Sequence, residues 1–395
     1  MEDVLSIVKK HIDPGRIIEL LSDMVEIPSF NSPENEIKMA KYIGDTMTKA
    51  GCDVEFQEVD SERYNVFARL KGKGGGKSLI LNTHMDVVPP GDGWSSDPFK
   101  LSRKDDNLYG RGVMDAKGPL AAMMAAIEAI ADSNLEIRGD IVLIVVVDEE
   151  VASLGARNLP RDLQGDFAII GEATNGNLAI AHRGSLRPVL VSEGISAHSS
   201  TPNLGRNAIN IMCKALIRLE EYSNQYLQKE HYLAGSPTLS ATIIQGGNKE
   251  SMVPDRCEAI IDRRLIPGEK KDEVLKEIEN VITNSFDEAN YVAIDRVIPT
   301  TGGPSEIMPD SPIVKITRSI IQKVYNKKPE LVGLTANCDM SHFIKRGIPS
   351  VIYGPGDFKF AHKADEHVSI TELMNSTLVY ALSALKVSNS PVTLK

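Results

Sequence analysis

The sequence predicts an α/β fold: a larger domain with a mostly parallel central sheet flanked by helices, and a smaller ferredoxin-like α+β domain inserted into it. The central sheet is indicated by two aliphatic runs, residues 141–147 and 167–170. Such continuous runs are typical of strands that are buried on both faces of a parallel sheet. The inserted domain is indicated by the order of elements after Arg183, which is β-α-β-β-α-β.

Length and composition favour two globular domains. The chain has 395 residues, which exceeds one ordinary core, and 42% of them are hydrophobic and 25% charged. We expect residues 1–183 and 299–395 to form the larger domain and residues 184–298 to form the inserted one. Residues 299–304, with two glycines between prolines, are the expected return linker.

The individual elements follow from hydrophobic periodicity and from helix-breaking residues such as Pro14-Gly15 and Pro28. In the larger domain the predicted helices span about 3–26, 34–50, 117–131, 313–325, 339–346 and 371–385. The predicted strands there span about 54–59, 65–70, 78–82, 141–147, 167–170 and 350–353, with another near Leu331. In the inserted domain we expect strands at 186–193, 238–245, 256–264 and 290–297 and helices at 204–222 and 269–284.

Charge and cysteine usage exclude several functional classes. The net charge of −10 argues against a nucleic-acid surface, which needs a basic field. The four cysteines have no paired spacing, which fits a reducing compartment. The N-terminus lacks a signal-peptide core, and no stretch approaches the roughly eighteen apolar residues of a membrane span. We expect a cytoplasmic protein without nucleic-acid or membrane partners.

The glycine-rich segment 71–78 superficially resembles a phosphate-binding loop. The pattern fails because Lys71 stands where the first glycine is required, and because a strand follows where the motif needs a helix. We interpret the segment as a solvated hairpin loop.

Three adjacent carboxylates, Asp148, Glu149 and Glu150, end the aliphatic run 141–147. Ligands of open α/β sheets bind at the carboxyl ends of strands. Neighbouring carboxylates repel one another unless a cation or a proton intervenes. The end of this strand is therefore the predicted centre of the functional site.

Further metal-binding residue types follow the other predicted strands or the loops beyond them. His84 and Asp86 come directly after strand 78–82, and residues two apart on an extended chain point the same way. Such a pair can act as a metal ligand and the acid that orients it. The remaining candidates are Asp115, Glu172 and His362.

Two histidines and three carboxylates (Asp115, Glu150 and Glu172) form a donor set that suits zinc, cobalt or manganese. One shared aspartate would give each of two metals three protein ligands and leave an open position for water. Glu149 then remains free to take the proton of that water.

The chain resembles the zinc-dependent family of aminoacylases, acetylornithine deacetylases, succinyl-diaminopimelate desuccinylases and carboxypeptidases. The resemblance covers essentially the whole chain. It is carried by residues 82–89 (Asn-Thr-His-Met-Asp-Val-Val-Pro), 109–119 (Tyr-Gly-Arg-Gly-Val-Met-Asp-Ala-Lys-Gly-Pro), 148–150, 171–174 (Gly-Glu-Ala-Thr), 354–356 (Gly-Pro-Gly) and 361–366 (Ala-His-Lys-Ala-Asp-Glu). Single motifs of this set are weak, but their order along the chain is specific.

The resemblance implies two zinc ions per subunit, for which cobalt can substitute. One would be held by His84, Asp115 and Glu172, and the other by Asp115, Glu150 and His362. Glu149 would be the general base, with Asp86 behind His84. His367, five residues past His362, is the alternative ligand.

The inserted domain resembles the lid and dimerisation domain of that family. Residues 194–208 match its histidine loop, which implies that His198 reaches the active site of a partner subunit and stabilises an oxyanion. Residues 262–268 match the stretch whose arginine binds the substrate carboxylate, here Arg264. Arg264 could instead pair with a carboxylate of the lid, and Arg263 could be the working neighbour.

The implied function is hydrolysis of the amide bond of a small, carboxylate-bearing N-acyl amino acid by a homodimer. Acetylornithine deacetylase or succinyl-diaminopimelate desuccinylase activity is the leading expectation. The alternatives are a carboxypeptidase or dipeptidase and a non-catalytic scaffold dimer. Residues 251–254 and 335–338 depart from the family's usual runs on the substrate side, so the substrate stays open.

Overall fold

The computed structural model describes residues 3–30, 33–226, 228–283 and 292–391. The chain divides into two compact units. Unit 1 consists of Met1–Ile180, Ile307–Val332 and Cys338–Lys395, and unit 2 consists of Ala181–Glu306 and Gly333–Asn337.

Helices and strands are numbered here in chain order. The helices are α1 (Val4–Lys10), α2 (Pro14–Val25), α3 (Pro33–Lys49), α4 (Lys117–Asp132), α5 (Leu154–Arg157), α6 (Ala208–Tyr226), α7 (Lys271–Thr283), α8 (Pro312–Tyr325), α9 (Met340–Ile344) and α10 (Ile370–Ser388). The strands are β1 (Asp53–Asp60), β2 (Arg63–Leu70), β3 (Leu79–His84), β4 (Ser102–Lys104), β5 (Asn107–Tyr109), β6 (Ile141–Val146), β7 (Phe167–Ile170), β8 (Leu178–His182), β9 (Gly184–Glu193), β10 (Ala197–His198), β11 (Thr238–Gly246), β12 (Met252–Val253), β13 (Arg256–Leu265), β14 (Val292–Ile298), β15 (Ser305–Glu306), β16 (Leu331–Leu334), β17 (Ser350–Ile352) and β18 (His367–Ser369). Residues 284, 290 and 291, at the ends of two predicted elements, lie outside the described residues.

The central sheet of unit 1 is mixed. Its strands follow the order β1-β2-β6-β3-β7-β17-β8. The four central strands, β6, β3, β7 and β17, run parallel, as expected for an α/β fold. The β1-β2, β2-β6 and β17-β8 pairs are antiparallel, so the expected parallel pairing occupies the centre of the sheet and antiparallel pairs lie on both sides of it. For β1 and β2, the two-residue turn Ser61-Glu62 explains the antiparallel pairing. So short a turn can join only antiparallel strands, because parallel pairing needs a long crossover.

The glycine-rich segment 71–78 does not close a hairpin, because β2 and β3 pair with opposite edges of β6. Its glycines allow close packing instead. A Cβ atom on Gly76 would overlap the carbonyl oxygen of Ser388 at the end of α10. The segment is therefore part of the packed edge of unit 1.

The core of unit 1 surrounds the central strands. Every residue of β3, β6 and β7 is buried. Helix α4 is buried along nearly its whole length, and its alanines allow it to pack closely against α10, α2 and the sheet. The strand ends that carry the predicted site are thus fixed by a continuous apolar core.

Unit 2 contains a four-stranded antiparallel sheet in the order β11-β13-β9-β14. Helices α6 and α7 bury one face of this sheet through a cluster that includes Leu190, Met212 and Ile278. This order and connectivity are those of a ferredoxin-like α+β unit. Compared with the predicted span 184–298, unit 2 also takes in the β15 residues, which pair with Ala181 and His182 at the end of β8.

Across the described ranges, no helix combines the length and the apolar character that a membrane crossing requires.

Candidate metal centre

The predicted site lies at the carboxyl ends of the central parallel strands. His84 is the last residue of β3, Glu149 and Glu150 follow β6, and Glu172 follows β7. His362 lies in the loop after β17, and Asp115 lies in the loop before α4. Because parallel strands end at the same edge of a sheet, the topology directs these side chains towards one place.

Two groups of three donors form at this edge. His84, Asp115 and Glu172 make up the first group, and Asp115, Glu150 and His362 make up the second. Within each group the candidate ligand atoms all lie within 4.8 Å of one another. All five residues predicted as metal ligands are therefore brought together, with Asp115 common to both groups.

Asp115 presents one carboxylate oxygen to each group. Its Oδ1 lies 3.2 Å from Nε2 of His84, and its Oδ2 lies 3.3 Å from Nε2 of His362. His84 Nε2 is also 3.8 Å from Glu172 Oε1, and His362 Nε2 is 3.0 Å from Glu150 Oε2. The two carboxylate oxygens of Asp115 thus face the histidines of different donor groups.

The chemistry of these donors fits divalent metals. Among the described residues, Oε1 of Glu150 is a buried oxygen without a hydrogen-bond partner. Burial and the neighbouring Asp115 charge raise the pKa of Glu150 to about 7, and burial raises the pKa of Glu172 well above its usual range. A cation between the carboxylates would offset this repulsion and would give the unpartnered oxygen a partner.

Glu149 is buried beside the donors but belongs to neither group. Burial raises the pKa of its carboxyl well above the usual range; the nearby His84 opposes this shift, while Asp339, Glu172 and Glu150 add to it. A carboxyl group in such surroundings holds a transferred proton readily, as a general base requires. Asp339, which sequence reasoning missed, is itself buried and accepts a hydrogen bond from Ser153 Oγ at 2.9 Å.

Asp86 contacts both His84 and the segment that carries Glu149. Nδ1 of His84 lies 2.9 Å from the main-chain oxygen of Asp86 and 3.6 Å from its Oδ1. The Asp86 carboxylate accepts hydrogen bonds from the backbone N–H groups of Glu149 and Glu150, each at 3.0 Å. The main chain of Asp86 thus orients the histidine, while its side chain fixes the two glutamates.

Asp148 is held by a buried charge network. Its Oδ1 accepts a hydrogen bond from Nη2 of Arg63 at 3.0 Å, and the same guanidinium binds both carboxylate oxygens of Glu36. Asp148 has a φ of +62°, a left-handed conformation that is uncommon outside glycine and is stabilised here by these contacts. This geometry supports a structural role for Asp148, although nothing in the sequence pointed to Glu36 or Arg63.

His198 lies in unit 2, on β10, and its side chain is exposed. The backbone N–H of Ser200 donates to Nδ1 of His198 at 3.1 Å, and the Ser200 hydroxyl is 2.7 Å from the same atom. Because Nδ1 accepts, the proton of the neutral ring is on Nε2.

Arg264, also in unit 2, pairs with Asp262: its Nε lies 2.7 Å from Oδ1 of that carboxylate. This ion pair is the contact with a carboxylate of the lid that the sequence left open as an alternative for Arg264. Arg263 is fully buried, and its Nη2 lies 2.6 Å from Oε1 of Glu269.

His367 belongs to neither donor group. Its Nδ1 lies 2.9 Å from the main-chain oxygen of Asp365, and its ring packs against Tyr109 and Phe360. The geometry therefore favours His362 over His367 as the donor.

The profile of the peptidase family M20/M25/M40 matches residues 80–386, more than half of the chain. The chain belongs to this family. Membership in family M20/M25/M40 confirms the resemblance seen in the sequence and makes the chain a hydrolase of amide or peptide bonds.

This M20/M25/M40 member is similar in sequence to curated proteins and shares its fold with solved structures. A probable succinyl-diaminopimelate desuccinylase of Staphylococcus epidermidis is 29% identical over 382 residues, covering 89% of this chain and 92% of the relative. An acetylornithine deacetylase of Photorhabdus laumondii is 30% identical over 375 residues, covering 90% of this chain and 92% of the relative. The di-peptidase Dug1p of Saccharomyces cerevisiae has the same fold, with a TM-score of 0.80 at 17% identity over 99% of this chain and all of that one.

Proposed function

We propose that this chain is a dinuclear-metal amidohydrolase that cleaves the amide bond of N-acyl amino acids, of the acetylornithine deacetylase or succinyl-diaminopimelate desuccinylase type. The observation that carries the proposal is Asp115, whose two carboxylate oxygens face His84 and His362 separately. The relatives of about 30% identity that bear these names support the substrate class.

The proposed metals are two zinc ions, for which cobalt can substitute. His84, Asp115 and Glu172 would hold one, and Asp115, Glu150 and His362 the other. When bound, the two ions would act as Lewis acids towards the amide carbonyl and the attacking water.

In the proposed reaction Glu149 accepts a proton from the attacking water and later donates it to the departing amine. The raised pKa of Glu149 suits the donation step, because it keeps the proton on the carboxyl until the amine departs. Asp86 keeps the carboxylate in position through the backbone of Glu149. Loss of Glu149 should therefore remove turnover while the donor groups remain intact.

We assign His198 to the oxyanion and Arg264 to the substrate carboxylate. His198 carries its proton on Nε2, so it can donate a hydrogen bond to a developing negative charge. The Arg264 side chain keeps about a third of its surface exposed beside Asp262, and a guanidinium can bind a carboxylate through two parallel hydrogen bonds.

A homodimer is part of this proposal. Strand β11 lies at one end of the unit 2 sheet, and its Ile243 and Ile244 are each 48% exposed. Ile217 on the neighbouring helix α6 is 55% exposed. An edge strand with apolar side chains is suited to pairing with a second copy around a twofold axis.

A substrate panel tests the proposed function. Acetyl and succinyl derivatives of amino acids should be compared with dipeptides on enzyme loaded with zinc or cobalt. We expect the acyl amino acids to be hydrolysed with the highest kcat/KM. Preference for dipeptides would support a carboxypeptidase or dipeptidase instead, and a complete lack of hydrolysis would support a scaffold dimer, although every residue proposed for chemistry is present.

A further inference from the structure

The loop that carries Asp115 depends on a single distant carboxylate. Residues 110–116 connect β5 to α4 without forming a helix or a strand. The backbone N–H groups of Met114 and Asp115 donate to Oε1 of Glu366 at 2.9 and 3.1 Å, and that of Gly112 donates to Oε2 at 3.2 Å. Three backbone donors of one irregular loop thus converge on one side chain.

Glu366 is buried and makes further hydrogen bonds besides these three. Its side chain is fully buried, and Oε2 also accepts a hydrogen bond from Nη1 of Arg111 at 2.5 Å. Its main-chain oxygen accepts from the N–H of Gly110 at 3.2 Å. A buried carboxylate that accepts several charge-assisted hydrogen bonds fixes the groups around it firmly.

The same segment carries His362, four residues before Glu366. His362 has a φ of +61° and Asp365 a φ of +55°, so contacts around the segment must stabilise this left-handed backbone. Directly after Glu366, β18 pairs with β5, with His367 opposite Tyr109. Glu366 therefore joins the loop of Asp115 to the loop of His362.

We propose that Glu366 is a positioning residue that sets the distance between Asp115 Oδ2 and His362 and thereby determines metal affinity at the second donor group. This inference rests on the proposed dinuclear function. Glu366 belongs to neither donor group, and acts only through the backbone of Asp115 and the chain that leads to His362.

The two donor groups should respond unequally to loss of Glu366. The first group takes His84 and Glu172 from the ends of buried central strands, which hold their positions independently. The second group takes both Asp115 and His362 from the two loops that Glu366 joins, and the His362 side chain is 50% exposed. Loosening both loops should therefore weaken the second group far more than the first.

The test is a titration of metal-free protein with Co²⁺, followed by calorimetry and by the visible absorption of the bound ion. Wild-type protein should take up two equivalents. In Glu366→Gln we expect the affinity for the second equivalent to fall by roughly tenfold or more, with the first changed less than about threefold. An unchanged second affinity in the folded variant would overturn the inference.

Asp166→Asn is the matched control. Asp166 also fixes a loop, since its Oδ2 accepts hydrogen bonds from the backbone N–H and the hydroxyl of Ser78. These residues lie at the amino ends of β7 and β3, away from the metal-donor groups at the carboxyl ends. This control should lose thermal stability and keep both affinities. Failure of wild-type protein to bind any Co²⁺ would contradict the proposed function, and is distinguishable from failure of the Glu366 inference.

Glu366→Asp serves if Glu366→Gln does not fold by circular dichroism. It keeps the charge but is too short to reach both Arg111 and the N–H groups of Met114 and Asp115. The second affinity should then fall by at least about threefold. Wild-type affinities for both equivalents in folded Glu366→Asp would overturn the inference.

Discussion

The carboxylate of Asp86 accepts a hydrogen bond from the backbone N–H of Glu149 at 3.0 Å, and its second oxygen accepts from Glu150 at the same distance. One side chain thus positions both the proposed general base and a proposed metal ligand. The Asp86 side chain is fully buried, so water cannot replace these contacts when they are removed.

Asp86→Asn should lower kcat by roughly 100-fold, because displacement of a reacting group by about 1 Å has effects of this size. An amide offers one acceptor where two backbone N–H groups need partners, so the segment of Glu149 and Glu150 must shift. KM should change little, since the proposal assigns the substrate carboxylate to Arg264 and not to Asp86. Steady-state kinetics on metal-loaded protein checks this, and a kcat within a few-fold of wild type would refute the role of Asp86.

The shared position of Asp115 predicts different metal contents for two variants. Asp115→Ala should bind neither metal tightly, because both donor groups lose a ligand. His362→Ala should keep one, since only the second group includes it. Elemental analysis after dialysis measures metal per chain. Equal metal content in the two variants would contradict the bridging role of Asp115.

The proposed dimer predicts complementation between two inactive variants. Glu149→Gln retains His198, and His198→Ala retains Glu149. If His198 acts in the partner's active site, mixed dimers contain one complete site, and random exchange should restore about a quarter of wild-type activity. Recovery is measured after subunit exchange of an equimolar mixture. Persistent inactivity of dimers that are shown to have exchanged would place His198 in the active site of its own chain.

The buried network around Arg63 predicts a large effect on stability. Arg63→Ala leaves the carboxylates of Glu36 and Asp148 buried without their cation, so the free energy of unfolding should fall by about 3–5 kcal/mol. Arg69→Ala, on the same strand, breaks an exposed ion pair with Asp140 and should cost less than about 1 kcal/mol. Urea denaturation measures the free energy of unfolding of both variants. Similar losses in the two would show that the buried network contributes no more to stability than the exposed ion pair.

The central strands and the residues at their ends could be predicted from the sequence because both signals are local. An aliphatic run indicates a buried strand, and a histidine or carboxylate directly after it is placed at the sheet edge by the strand itself. His84, Glu149, Glu150 and Glu172 follow this rule. The two-residue turn at Ser61-Glu62 requires that β1 and β2 pair antiparallel, which the aliphatic pattern alone does not indicate.

The supporting residues could not be predicted, because their partners are far away in the chain. Glu366 and Asp115 are 251 positions apart, and Arg63 and Asp148 are 85 apart. In the sequence, Glu366 is only the last residue of the motif 361–366. Strands β4, β5 and β18 have three residues each, which is too short for a hydrophobic period to show.

Turnover by Glu149→Gln with both metals bound tests the central claim most directly. The substitution keeps the size of the side chain and removes its ability to accept a proton, while the two donor groups stay intact. With metal content confirmed at the wild-type level, we expect kcat on the best acyl amino acid to fall by at least about 100-fold. Near-native turnover in this fully loaded variant would contradict the assignment of Glu149 as the general base.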